Sequence, residues 1–373
     1  MITSDNEELK IFDKTTRDFS KKELAPKREE NDRYPFGPFF QEILEKAFEL
    51  GFFHVILTED LGGIGHGLEA LCILLDNICR EDSSLGGIVF TVTQAQSIIL
   101  AAGEKELLGR MTENQNKVED CLIATAILGN PAEFDLSTRV ETSGDNYFLS
   151  GSVEYLVLGN LAKTALVPAP AEDNTGYSFF LIDMADPAIT ISEPVISHGL
   201  HACPAVDMTL NKAPATLVGT YGQGHMYFEE AAARMQLAAA AMSCGIMRGS
   251  FDEAMTYCAE RAQGGRIIRN WSEMQMLLSD MAIKVTVADM LVSRACQAVE
   301  NQEKDWKHAV SAASLHIQSA ATNLVTDGIQ ILGGVGYMKD FGQEKRFRDA
   351  GQIQAFLGLE PMKRIRFIKQ FFI

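Results

Sequence analysis

The sequence predicts a mainly helical α+β fold, with a helical N-terminal domain over 1–120, a small β domain over 121–220 and an antiparallel bundle of long helices over 221–373. Three observations predict it. Seven of the eleven prolines lie between 131 and 214, and none lies between 215 and 360. Proline breaks helices and removes a backbone donor, so long helices are confined to stretches without it. Outside the proline-rich middle, apolar residues recur at helical spacing; inside it, short apolar runs alternate with turn residues.

From the N-terminus, periodicity predicts helices over 8–24, 38–50 and 67–81, with an irregular stretch over 57–65. Strands are expected over 139–142, 147–149, 164–167, 178–182 and 208–210, with Gly144-Asp145-Asn146 as a hairpin-like turn between the first two. Three helices follow, over 228–262, 272–303 and 306–332. In the second, Met274, Leu277, Leu278, Met281, Val285, Ala288, Val292 and Ala295 form one apolar stripe. In the first, Ser243, Cys244 and Gly245 are small enough to let a neighbouring helix approach closely.

A net charge of -17 repels phosphate polymers and anionic lipid headgroups, so no nucleic-acid or membrane-surface role is expected. The one basic patch lies over 362–369. No stretch is expected to reach the ~20 apolar residues of a membrane span. The start, MITSDNEELKIFDK, carries four acidic residues and lacks the apolar run of a secretory signal. Seven scattered cysteines without CxxC spacing suit reduced thiols and a cytoplasmic setting. The run His198-Gly199-Leu200-His201-Ala202-Cys203 contains metal-ligand types, but its spacing fits no standard site and no metal is expected.

Several segments are more distinctive. Leu24-Ala25-Pro26, Glu49-Leu50-Gly51-Phe52 and Thr58-Glu59-Asp60-Leu61-Gly62-Gly63 lie near the start; Asp207-Met208-Thr209-Leu210 and Pro214, followed by Gly219, Gly222 and Gly224, lie at the end of the β region. The most specific are Gln330-Ile331-Leu332-Gly333-Gly334-Val335-Gly336-Tyr337 and Glu344-Lys345-Arg346-Phe347-Arg348-Asp349. In this order and spacing they resemble the acyl-CoA dehydrogenase superfamily across essentially the whole chain. The resemblance implies a central β-barrel-like domain, a C-terminal antiparallel four-helix bundle, a homotetramer, bound FAD and an acyl-CoA thioester substrate. It also implies electron-transfer flavoprotein or another electron acceptor as partner.

By the same resemblance, cofactor contacts fall on Thr125, Tyr155, Val157, Arg261, Trp271, Gln330, Gly333 and Gly334, with coenzyme A near Arg234 and the substrate against Leu357 and Gly358. Each has a plainer reading. Gly333-Gly334 suits a helix C-cap, Arg261 and Arg234 suit solvated helix surfaces, and Thr125 and Tyr155 are good strand formers.

The departures from the family pattern are chemical. Removing the proton beside a thioester needs a base over the substrate. The family's usual glutamate position holds Leu357, and the alternative position, next to Arg261, holds Ala262. Glu360 is the nearest replacement, although a carboxylate before Pro361 equally suits a helix N-terminus. The flavin-contacting loop becomes Thr125-Ala126-Ile127-Leu128-Gly129-Asn130-Pro131-Ala132, Leu359 replaces a hydroxyl-bearing threonine, and Gly264 replaces a phenylalanine. The expected activity is FAD-dependent oxidation at the CH–CH group of an acyl-CoA with an atypical or missing base. The alternatives are a non-catalytic subunit of a heteromeric acyl-CoA dehydrogenase, or a flavin enzyme that eliminates a leaving group or uses oxygen.

Overall fold

The computed structural model describes residues 6–113, 115–144, 146–171 and 176–372; the first five residues of the N-terminal segment and Asp145 of the expected turn lie outside the described residues. The N-terminal region is helical: α1 (Glu7–Phe19), a single turn α2 (Arg28–Asn31), α3 (Gln41–Glu49), α4 (Gly67–Glu81), α5 (Ser83–Ala101), α6 (Lys105–Glu113) and a single turn α7 (Val118–Cys121). Asn6 caps α1 by accepting the Glu8 N–H, and Asp82 caps α5 by accepting the Ser84 N–H, each replacing a missing intrahelical partner.

Helix α5 departs from expectation. It is long and apolar enough to cross a bilayer by length and composition, and 83% of its most apolar window is buried inside the fold. Buried on nearly every side, it is a core helix rather than an amphipathic one.

Strands occupy 123–218: β1 (Ile123–Thr125), β2 (Thr138–Ser143), β3 (Asn146–Val157), β4 (Thr164–Pro170), β5 (Tyr177–Asp183), β6 (Ile189–Ile191) and β7 (Ala205–Val218). They form one sheet in the order β2-β3-β1-β4-β5-β7-β6, and an added β3–β7 pairing closes β3, β1, β4, β5 and β7 into a ring. Register shifts at Leu149/Gly151 and Val153/Leu156 bend the long β3 around that ring. Ser143 pairs with Asn146, so β2 and β3 are a hairpin.

The C-terminal region holds α8 (Gly224–Glu260), a small hairpin of β8 (Ala262–Gln263) and β9 (Arg266–Ile267), α9 (Ser272–Glu300), α10 (Trp306–Leu332), α11 (Gln343–Ile353) and α12 (Glu360–Lys369). Helices α8, α9 and α10 pack on one another, with α11 against α10 and α8. The small residues of α8 admit a neighbouring helix, which is α4. A Cβ on Gly245 would come within 2.3 Å of the Asp76 carbonyl, and one on Gly249 within 2.2 Å of the Arg80 carbonyl. Those close approaches lock α8 onto α4, joining the N-terminal domain to the bundle.

Candidate functional site

The residues expected to touch cofactor and substrate fall into three clefts. At the first, Tyr155 lines a cleft of about 490 Å³ with Ala126, Leu128, Gly129 and Pro131. Thr125 and Val157 pair across β1 and β3 beside it, both buried. The Thr125 hydroxyl donates to the Leu166 carbonyl at 3.0 Å, so it is engaged within the sheet. Tyr155 has a left-handed backbone, φ 53°, and its hydroxyl accepts from Gln352 Nε2 of α11 at 2.8 Å. A non-glycine residue with positive φ is held there only by its surroundings.

The turn after α11 closes onto this region. The Leu357 N–H donates to the Ile127 carbonyl at 2.8 Å, Leu357 has φ 62°, and Gly358 has φ 120°. Leu357 is 2% exposed, and the Phe356 ring packs against that of Phe90 on α5 with centroids 4.8 Å apart. Beneath the turn, Lys363 donates to the carbonyls of Gln354 and Phe356 and to Gln318 Oε1. Burial, reinforced by the Arg366 charge, pushes its ammonium down to about 8.

Two carboxylates lie near the turn, and each already has a cationic partner. Glu360, the first residue of α12, meets Arg364 Nε at 2.6 Å and Gln354 Nε2 at 2.9 Å. Glu133 pairs with Arg366, whose Nη2 also reaches the Leu357 carbonyl at 3.5 Å. Sequence reasoning missed this pair; its only local signal was the basic run 362–369. That run is no free patch, because Lys363 is buried and Arg364 and Arg366 are paired.

In the second cleft, about 440 Å³, Arg261 just after α8, Trp271 just before α9, and Gln330 and Gly333 at the end of α10 come together. Gly333 caps α10 with φ 64°, and neither it nor Gly334 has any atom within 4 Å of where a Cβ would stand. A Cβ on Gly264 would strike the Trp271 ring at 2.9 Å, which accounts for glycine there. Ala262 lies exposed in β8 and carries no group able to take a proton. An exposed guanidinium, an indole and open glycine backbone fit the pyrophosphate and flanking groups of a dinucleotide such as FAD.

In the third cleft, about 370 Å³, Arg234 stands apart from the other candidates, with Glu230 at 3.5 Å and the Trp306 ring at 5.3 Å.

The Glu344–Asp349 motif is structural. Lys345 Nζ bonds Asp82 at 3.0 Å and Asp349 at 2.7 Å; Arg346 pairs with Glu253; Arg348 pairs with Asp32 and Glu344. His201 joins this network rather than a metal, with Nδ1 3.1 Å from the Asp32 carboxylate. Among the described residues no group of three or more His, Cys, Asp or Glu side chains is arranged to hold a metal.

Comparison with known proteins agrees with this architecture. The acyl-CoA dehydrogenase N-terminal domain model matches residues 6–113 and the C-terminal domain model matches 222–370. The chain is 25% identical to the caffeyl-CoA reductase-Etf complex subunit CarC of Acetobacterium woodii, over 96% of this chain and 97% of that protein. It is 26% identical to cyclohex-1-ene-1-carbonyl-CoA dehydrogenase of Geobacter metallireducens, over 96% of each. Its fold is similar to that of butyryl-CoA dehydrogenase from Megasphaera elsdenii, with a TM-score of 0.87 at 20% identity over 100% of both chains. Because the two domain models bracket the β domain and the relatives run the length of the chain, the protein belongs to the acyl-CoA dehydrogenase superfamily and is an acyl-CoA dehydrogenase-like, FAD-dependent flavoenzyme.

Proposed function

We propose that this oxidoreductase acts at the CH–CH group beside an acyl-CoA thioester without a carboxylate at either usual base position. The turn after α11 carries the proposal: Leu357 occupies it, buried, while the neighbouring Glu133 and Glu360 are each held by an arginine.

FAD supplies the hydride-transfer chemistry when bound. Arg261, Trp271, Gln330, Gly333 and Gly334 would hold its dinucleotide part, and Thr125, Tyr155 and Val157 would flank its ring. Arg234 would meet coenzyme A; Leu357 and Gly358 would face the thioester. The cofactor residues lie in two clefts built from different domains, which supports a homotetramer with FAD shared between copies. The relative CarC is named as a subunit of an Etf complex, which supports electron-transfer flavoprotein as the redox partner. Seven free, buried thiols suit the cytoplasm.

Saturated straight-chain acyl-CoAs are expected to reduce the flavin slowly, since general-base catalysis contributes about a hundred- to ten-thousand-fold. Anaerobic mixing with short, medium and long acyl-CoAs measures this. Reduction as fast as in a glutamate-bearing relative would overturn the missing-base reading.

In sizing chromatography monitored in the visible, flavin is expected to co-elute with an oligomer. A flavin-free monomer would instead favour a second reading, a non-catalytic subunit completing the site of an intact relative. The Leu357–Ile127 hydrogen bond, which closes the turn onto the β domain, is the observation behind that second reading.

A further inference from the structure

One face of α5 carries a polar group that nothing in the fold uses. Gln94 is 1% exposed, and neither its Nε2 nor its Oε1 has a hydrogen-bond partner. A buried amide without partners is costly, so native structures rarely leave both ends unmet. Gln94 also sits on a line between two features already described. Ser97 and Ala101, three and seven residues further on, line the 370 Å³ cleft beside Arg234 and Glu230. Phe90, four residues back, packs on Phe356 next to Leu357. Residues at these spacings share a helix face, and helical side chains lean toward the N-terminus, so the Gln94 amide leans from the cleft toward the Leu357 turn.

We propose that Gln94 is a specificity-determining residue for an acyl chain that passes along this face of α5 and carries a neutral oxygen function, a hydroxyl or a keto group. The proposal rests on the acyl-CoA reading of the site and narrows its substrate class. The amide offers one donor group and one acceptor, which complements a hydroxyl or carbonyl oxygen. A carboxylate is disfavoured at that depth, because Gln94 carries no charge to offset burial of an anion; the charged pair Arg234 and Glu230 lies at the outer cleft. Gln94 is four residues from Phe90, roughly 6 Å along the helix axis at about 1.5 Å per residue. The oxygen therefore belongs several carbons from the thioester rather than beside it.

The test compares heptanoyl-CoA with 6-hydroxyhexanoyl-CoA, which match in heavy-atom count, by titration calorimetry on the purified oligomer. The wild type is expected to bind the hydroxy thioester about tenfold or more tighter, since a site built around a hydrogen bond rejects the analogue lacking it. Gln94→Leu should abolish or invert that preference, with Gln94→Met as a second apolar replacement should the leucine variant fail to fold. A ratio near one in the wild type, or a preference preserved in both variants, overturns the inference and leaves Gln94 as the partner of a buried water only. If neither thioester binds at any concentration, the acyl-CoA reading of the site fails first and the inference falls with it.

Discussion

Replacing Lys345 by methionine is expected to cost about 3–5 kcal/mol of stability, the range for breaking a buried ion pair by removing one partner. Lys345 is 5% exposed and its ammonium answers two carboxylates, Asp82 and Asp349, each 1% exposed. Burial disfavours the Lys345 charge, but Asp349, Asp82 and Asp32 together raise its pKa above the ordinary lysine value. Methionine fills the stem's volume and leaves both carboxylates uncompensated. The cost spreads because both carboxylates also hold other parts of the fold. Asp82 caps α5 and accepts from Asn31, and Asp349 accepts the Leu200 N–H in the loop between β6 and β7. Three domains therefore loosen together.

A triple variant, Lys345→Met with Asp82→Asn and Asp349→Asn, should recover more than half the loss, because the amides remove the stranded charge and each keeps one oxygen, for the Ser84 N–H at 82 and the Leu200 N–H at 349, while the Asn31 bond to Asp82 is lost. The pH window follows from the neighbours. Burial raises the pKa of Asp32, but hydrogen bonds from His201 and Arg348 overcome it and hold the carboxyl well below its usual range. Its contribution is then present above the ordinary value of about 3.9 and is lost as pH falls further. The Lys345 contribution, from a raised pKa, is present throughout neutral pH and disappears only in strong alkali. Urea unfolding midpoints at pH 7 measure the single and triple variants. A single-variant loss below about 1 kcal/mol, the scale of an exposed pair, would show that the network carries no such weight.

Legibility in the sequence depended on the range over which each interaction acts. The helices over 67–81 and 306–332 appear where periodicity expected them, because amphipathic spacing is a local property. Helix α5 had no such signature: Gly86, Ile88, Val89, Phe90 and Val92 are buried on successive faces, so no stripe distinguishes one side. Strands β3 and β7 are longer than their expected cores because bulges interrupt the two-residue alternation. The glycines at 333 and 334 were conspicuous as sequence, and their open surroundings fit the cofactor role the resemblance implied. Glu133–Arg366 and Gln352–Tyr155 join residues 233 and 197 positions apart, and no local pattern encodes such pairings. Gln94 was invisible for another reason. A glutamine in an apolar helix reads as an ordinary substitution until the structure finds its amide without partners.

Leu357→Glu is expected to raise the rate of flavin reduction by acyl-CoA at least about a hundredfold, the lower end of what a positioned general base contributes. The backbone favours the experiment. Leucine already accepts a left-handed φ of 62° at this position, so glutamate adds no new backbone strain, and the N–H bond to Ile127 is retained. The packed rings of Phe356 and Phe90 enclose the position, and desolvation there raises a carboxyl pKa toward the range useful for a base. A scaffold that fixes the carboxylate over the substrate also supplies the geometric part of the rate. Burial opposes it, since an unpaired carboxylate at a 2%-exposed site destabilises the fold, and Leu357→Gln measures that burden without adding a base. Anaerobic stopped-flow reduction by a saturated acyl-CoA, run on wild type and both variants, separates the outcomes. A gain confined to the glutamate variant places the base at 357. If that variant folds, keeps its flavin and binds the thioester yet reduces no faster than the glutamine control, the turn after α11 does not carry the reacting carbon, and the pocket serves other chemistry.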